Sequence, residues 1–227
     1  MTASNFGKII KCSLNPNSLI KGMLYDNPTS KYLEYGKEHA QDAIDMYINY
    51  TSADKNNNEN IKVVKSGLLL SEERPGYGAS LDGFIIKSEN GDIAGGLECK
   101  CPASKCGMSI SEACEDSKFY LTKDDSGNFF LKRNHNYYLQ VQGQLFISKL
   151  EFIDFVVWFG PKENIFVERI YFDHAKWYDE HLPALDFFYK WVFIPEMLTR
   201  RVKRRLELHS VAEWKQLKKK FIGSIKK

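Results

Sequence analysis

The stretch GASLDGFIIKSENGDIAGGLECKCP, residues 78–102, decides the fold. Residues 81–87 (LDGFIIK) and 93–101 (IAGGLECKC) are strand-like, and the Glu89-Asn90-Gly91-Asp92 segment between them carries the Asn-Gly signature of a hairpin turn. Two antiparallel strands joined in this way set Asp82 and Glu98 side by side. Side chains two apart on a strand share a face, so Glu98 and Lys100 point one way while Cys99 and Cys101 point the other. Two carboxylates and an amine therefore converge. Such a pair can hold Mg²⁺, a hard cation that takes carboxylate, carbonyl and water oxygens. Lys100 beside it can orient or deprotonate a water, or neutralise charge developing on a phosphate. Taken alone, Asp…Glu-x-Lys is common on amphipathic strands; other parts of the sequence make it specific.

Four elements in order carry a resemblance. Ser80-Leu81-Asp82-Gly83 is similar to the Ser-Pro-Asp-Gly element, and Leu97-Glu98-Cys99-Lys100-Cys101-Pro102 to the Leu-Glu-x-Lys-Cys-Pro element, of the phage lambda exonuclease and YqaJ-type viral recombinase family of PD-(D/E)xK nucleases. Residues 137–144 (YYLQVQGQ) resemble its Tyr-Tyr-x-Gln-Val-Gln motif, and Thr2-Ala3-Ser4 its N-terminal Thr-Ala-Ser. Order and spacing agree, and the similarity extends to about Leu198.

The resemblance implies an α/β, restriction-endonuclease-like core, with a central mixed sheet of about five strands flanked by helices. It also implies a Mg²⁺-dependent deoxyribonuclease, with Mn²⁺ able to substitute, that hydrolyses linear double-stranded DNA from an end, 5′ to 3′, in viral or transposon-type recombination. Asp82, Glu98 and the Cys99 main-chain carbonyl would hold the metal. Lys100 would position or activate water, Gln140 would hold Lys100 or a water on the metal, and Ser4 would contact a DNA phosphate. The arginine that partners this serine in the family would fall before Met1, so the chain is either a domain cut from a longer protein or lacks that half of the pocket. Read without the family, Ser4 is equally a helix cap. Partners would be duplex DNA with a free end and a single-strand annealing protein; the oligomeric state stays open.

One departure matters. The family pattern Gly-x-x-x-Glu places a metal-site glutamate four residues after Gly36, and that position is Ala40. Glu38 and Asp42 are rotated about 200° around the helix from it and should face solvent. Ala40 is then a natural loss of a supporting ligand or an introduced change from glutamate, and slowed or abolished cleavage with retained DNA binding is expected. The alternative activity is a catalytically weakened DNA-binding or recruitment module. Leu81, where the family has proline, should alter only the turn before Asp82.

The 227 residues, 43% hydrophobic and 14% aromatic, suffice for one sizeable core. No run approaches the roughly 20 apolar residues of a membrane span and no signal sequence opens the chain, so an intracellular protein is expected, in the nucleus or at a viral replication site if eukaryotic. Five cysteines, an odd number, argue against a secreted disulfide scaffold, and the spacing of Cys99, Cys101, Cys106 and Cys114 does not suit a metal cluster. The net charge of +3 is uneven: residues 199–227 hold eleven Lys/Arg against two Asp/Glu. Domains are therefore expected at 1–198, the nuclease, and at 199–227, a basic helical tail. Its groups, residues 200–205 (RRVKRR) and 218–220 (KKK), would track phosphates, serve as a nuclear localisation signal, or form a solvated helix end.

Outward from the hairpin, helices are expected over residues 2–11, 17–24, 30–50 and 134–148. The third would bury a stripe of Tyr32, Tyr35, Ala40, Ala43, Ile44 and Tyr47. Residues 51–60 read as a polar loop, 61–70 as a strand, 72–76 as a turn, 103–119 as a helix or loop at the mouth of the site and 122–128 as a hairpin turn. Residues 152–159 (FIDFVVWF) read as a central strand, 166–171 as another strand, and the aromatic-rich segment after Asp173 as a helix ending near Pro195.

Overall fold

A computed structural model describes residues 1–27, 29–53, 60–162 and 165–225. Residues 54–59 of the anticipated polar loop, and Pro28 before the expected third helix, lie outside them. In chain order the helices are α1 (Ala3–Ile10), α2 (Pro16–Leu24), α3 (Lys31–Glu38), α4 (Ala40–Ala53), α5 (Ile110–Glu115), α6 (Asn136–Ser148), α7 (residues 174–199) and α8 (Val211–Ile225). The strands are β1 (Ile61–Val64), β2 (Leu69–Leu70), β3 (Gly78–Ala79), β4 (Gly83–Lys87), β5 (Ile93–Lys100), β6 (Leu121–Lys123), β7 (Phe129–Leu131), β8 (Phe152–Val157) and β9 (Phe166–Tyr171). Two compact units result, one of residues 2–4 and 29–172, the other of residues 1, 5–28 and 173–227. Among the described residues no helix is long and apolar enough to cross a membrane.

The first unit is built on a five-stranded sheet ordered β1-β4-β5-β8-β9, in which β5 and β8 are parallel and the other pairs antiparallel. This is the expected mixed sheet. The β4–β5 hairpin closes through Lys87 N to Asp92 O (2.9 Å), with Gly91 at φ 77°, the left-handed turn conformation that glycine adopts without strain. Strand β8 is buried along its whole length because both faces are covered. Ile153, Phe155 and Val157 enter a core that includes Tyr138, Val141 and Leu145 of α6, whereas Phe152 and Val156 enter a second core with Ala43, Ile44 and Tyr47 of α4. The same alternation on β5 sends Leu97 and Cys99 into the α4 core and turns Glu98 toward α6.

Glycines permit the close packing around Asp82. A Cβ on Gly96 would stand 2.4 Å from Leu81 Cδ2, and one on Gly83 would stand 2.3 Å from Val63 Cγ1. Leu81 itself is 4% exposed, so it does more than shape a turn: it is a core side chain lying against β5.

The expected helix over 30–50 is two helices. Ser30 caps α3 by accepting from Leu33 N, but the run breaks at His39 (φ −98°, ψ 7°). The His39 ring stacks on Trp158 at 4.8 Å, its Nδ1 meets Asp42 Oδ2 at 2.7 Å, and its carbonyl takes the Cys101 thiol. These contacts outweigh one further helical residue. Tyr32, expected inside, is 68% exposed, because the bend leaves the buried stripe to Ala43, Ile44 and Tyr47. The expected strand at 61–70 is likewise split into β1 and β2, which pair with different partners.

The second unit is helical. Asn15 caps α2, its side chain accepting from Ser18 N. Helix α7 contains two π-helical turns, Trp177–His181 and Tyr189–Phe193, each followed by a proline, Pro183 and Pro195. A proline inside a helix lacks its N–H and crowds the carbonyl four residues back; a widened turn accommodates both. The helix therefore passes Pro195 and continues to Thr199 instead of ending there.

Candidate active site

The site stands at the end of the β4–β5 hairpin. Asp82 N donates to Leu97 O (3.0 Å), which fixes the residue at the strand entrance, and Cys99 N donates to Asp82 Oδ2 (2.7 Å), which turns the carboxylate toward β5. Glu98, 3% exposed, is gripped from three sides. Its Oε1 accepts from Gln140 Nε2 (2.5 Å) and from Lys100 Nζ, and its Oε2 accepts from Gln144 Nε2 (2.6 Å). Lys100 Nζ also lies over the Tyr137 ring, 4.7 Å from its centroid. One turn of α6 thus faces the ends of β4 and β5, because Gln140 and Gln144 are four apart on one helix face.

Electrostatics follow from this crowding. Burial, and after it the Glu98 charge, push the Asp82 carboxyl up to about 6, against a partial offset from Lys100 and the Cys99 N–H. For Lys100 burial pulls downward, but Glu98 and Asp82 together outweigh it, so the ammonium is held above its ordinary range. Cys99 is pushed up, first by burial and then by Asp82, so it is a buried thiol whose sulfur faces the α4 core. A cavity of about 320 Å³ opens here, lined among others by Ala40, Asp82, Lys100, Cys101, Tyr120 and Tyr137.

Asp82, Glu98, Cys99, Lys100 and Gln140 are therefore brought together, and Ala40 lines the same cavity as Asp82 and Lys100. Glu38 and Asp42 are both exposed. Ser4 lies in the first turn of α1, not at its cap, with its hydroxyl 3.1 Å from Thr2 Oγ1, and is not among the residues lining that cavity. Gln140, expected to hold Lys100 or a water on the metal, bonds Glu98, the carboxylate that accepts from Lys100. Gln144 was not singled out for the site, yet it donates to both Glu98 and Ser80 O (2.9 Å), tying the segment before Asp82 to Glu98. Its four-residue offset from Gln140 was the available signal. Tyr137, beneath the ammonium, lies one turn before Gln140 on the same helix face and opens the same motif.

The site's donors suit a hard cation. Two carboxylates stand together with one of them raised by burial and then by the other's charge, and Asp82 Oδ1 takes no hydrogen bond among the described residues, which is the arrangement a divalent ion relieves. Among the described residues there is, however, no group of three or more His, Cys, Asp or Glu side chains that could hold a metal. The side-chain carboxylates are two, Asp82 and Glu98, and Ala40 lines the cavity beside Asp82.

The family model of the YqaJ-like viral recombinase domain matches residues 1–151, about two thirds of the chain. The chain belongs to this family. No curated protein matches it. Among solved structures, an alkaline exonuclease (LHK-Exo) from Laribacter hongkongensis superposes with a TM-score of 0.61 at 21% identity, over 90% of this chain and 93% of that one. The same enzyme in complex with dAMP gives 0.57 at 21%, over 89% and 94%. A phage related exonuclease from Haemophilus somnus 129PT gives 0.50 at 17%, over 87% and 96%. At these identities the likeness is one of fold, and it places the YqaJ-like chain on the α/β scaffold of exonucleases.

Proposed function

We propose that the chain is a Mg²⁺-dependent deoxyribonuclease that hydrolyses linear double-stranded DNA from an end, 5′ to 3′, in recombination. Membership of the YqaJ-like recombinase family and the exonuclease fold support DNA as substrate. The observation that carries the chemistry is the grip on Glu98: three donors, Lys100, Gln140 and Gln144, fix one buried carboxylate beside Asp82. Asp82, Glu98 and the Cys99 carbonyl are the residues that would hold the ion. When bound, Mg²⁺ would supply a Lewis acid that polarises the phosphate and stabilises the leaving 3′-oxygen.

The chain's own residues do the rest. Lys100 lies against Glu98 in the lining of the cavity, where it can orient the attacking water and neutralise charge growing on the phosphoryl oxygens. Gln140 and Gln144 use their N–H groups to hold the Glu98 carboxylate in one rotamer. Tyr137 presents its ring face to the ammonium and limits the directions in which Lys100 can point.

The weakened-module alternative also has a specific observation behind it, since Ala40 brings no carboxylate to a cavity whose lining holds Asp82 alone of that kind. Digestion of end-labelled, 5′-phosphorylated linear duplex with Mg²⁺, for the chain, Asp82→Asn and Ala40→Glu, separates the two. Cleavage by the chain, lost in Asp82→Asn, supports the nuclease. Tight binding with no cleavage in any of the three supports the module.

A further inference from the structure

Residues 200–205 (RRVKRR) are an ordered turn whose shape is set by neighbours in the same unit. Glu196, fully buried, accepts from Val202 N (2.9 Å), Lys203 N (3.1 Å) and Tyr25 Oη (2.7 Å). Val202 is the buried anchor of the turn, and Arg200 and Arg205 adopt the left-handed conformation at φ 50° and 64°. Just downstream, Asn17 donates to His209 O (2.7 Å) and accepts from Leu208 N (2.9 Å). The loop is thus pinned at two places.

A buried carboxylate spent on two backbone N–H groups is an expensive way to hold a surface turn. What it holds out to solvent is charge. Arg200, Arg201, Lys203, Arg204 and Arg205 are all exposed, and none pairs with a carboxylate among the described residues; Arg201 and Arg204 reach only main-chain carbonyls, those of Glu207 and Thr199. A groove of about 650 Å³ runs alongside, lined by Lys21, Lys203 and Arg205 with Asn15, Ser18 and Glu207 among its other residues. Three cations and the neutral side chains of Asn15 and Ser18, set against the one carboxylate of Glu207, match the evenly spaced phosphate and sugar oxygens of a nucleic-acid backbone.

We infer that the pinned loop at residues 200–205 and the groove beside it are a phosphate-tracking surface for double-stranded DNA, carried by the unit that lacks the carboxylate site. The choice of DNA rests on the nuclease reading; the pinning and the unpaired cations do not. Exposed Met197 and Leu198 just before the loop are the feature that would instead suit an anionic lipid surface, which makes vesicles the control.

The test uses the full chain in chelator, with fluorescein-labelled linear duplex followed by anisotropy across a salt series. Lys203→Gln, Arg204→Gln and Arg205→Asn combined leave Glu196, Val202 and Arg201 in place, and asparagine tolerates the left-handed backbone. The combined variant should lower the slope of log affinity against log salt by about 2 to 3 and weaken binding about tenfold or more at moderate salt. Lys203→Gln alone, the mildest change, should lower that slope by about 1. Under Mg²⁺ the combined variant should cleave at an unchanged rate when DNA is saturating, with a raised KM. Unchanged affinity and slope in both variants would overturn the inference. So would binding to phosphatidylserine vesicles that is lost in the combined variant while duplex binding is kept. Duplex binding that depends on these cations in a chain that never cleaves would sink the nuclease reading and leave this one standing.

Discussion

At the scale of single residues, Asp82 and Gln144 carry the sharpest consequences. The folded, metal-free protein holds a proton on Asp82 up to about pH 6, whereas an unfolded chain releases it near 3.8. Between those values the folded state binds more protons, so stability falls as pH rises through the window and the loss is complete above it. The full shift corresponds to at most about 3 kcal/mol. Chemical denaturation in chelator should therefore show Asp82→Asn gaining on the wild type by roughly 1 to 3 kcal/mol between pH 4 and pH 7. A difference independent of pH would refute the raised carboxyl. Gln144 leads to a second prediction. Both of its N–H groups are committed, to Glu98 and Ser80, while its own Oε1 is buried without a partner. That orphan costs about 1 to 3 kcal/mol, and the amide accepts the cost because flipping it would aim an oxygen at a carboxylate. In Gln144→Met the orphan disappears together with the grip. Stability should change by less than about 1 kcal/mol, while the Mg²⁺ concentration for half-maximal cleavage rises several-fold. Equal losses of stability and activity would reduce Gln144 to a packing residue.

At the scale of elements, what could be read in the sequence was what is local. The β4–β5 hairpin followed from Asn90-Gly91 and an apolar run on either side, and β8 followed from six consecutive residues that packing covers on both faces. The break at His39 left no local mark, because its cause is Trp158, more than a hundred positions away. The glutamine pair shows the same limit: a four-residue offset says that Gln140 and Gln144 share a face, but only the packing of α6 on the sheet says that the face meets Glu98. The pinned loop is a third case, since the basic run is plain in the sequence while Glu196 reads there as an ordinary helix residue. Two predictions belong at this scale. Gly96→Ala would drive a methyl to within 2.4 Å of Leu81 and 2.9 Å of Ile153 at the sheet centre. It should cost about 1 to 3 kcal/mol of unfolding free energy, measured by denaturant titration, whereas Gly36→Ala, with nothing within 4 Å, should be neutral or stabilising. Ala40→Glu, at the start of α4, restores a carboxylate beside the cavity. Single-turnover digestion should run at least about tenfold faster in this variant, equivalent to about 1.4 kcal/mol off the barrier.

At the scale of the whole molecule, charge is divided between the two units. The helical unit holds 16 Lys/Arg against 8 Asp/Glu, and the sheet unit 16 against 21. The unit that carries Asp82 and Glu98 is thus net negative, and a polyanionic substrate is repelled where the chemistry would happen unless a cation intervenes. This asymmetry has a sign that can be measured. In chelator, Asp82→Asn removes one negative charge from the site and should bind linear duplex several-fold more tightly than the wild type, a gain on the order of 1 kcal/mol. Addition of Ca²⁺, which fills hard-oxygen sites while supporting turnover poorly in place of Mg²⁺, should tighten the wild type by a similar factor and leave Asp82→Asn nearly unmoved. The two effects share one origin, so they should disappear together. If Ca²⁺ tightened both proteins equally, the ion would be acting on the DNA or elsewhere on the chain, and the pairing of Asp82 with Glu98 as a cation site would have to be abandoned.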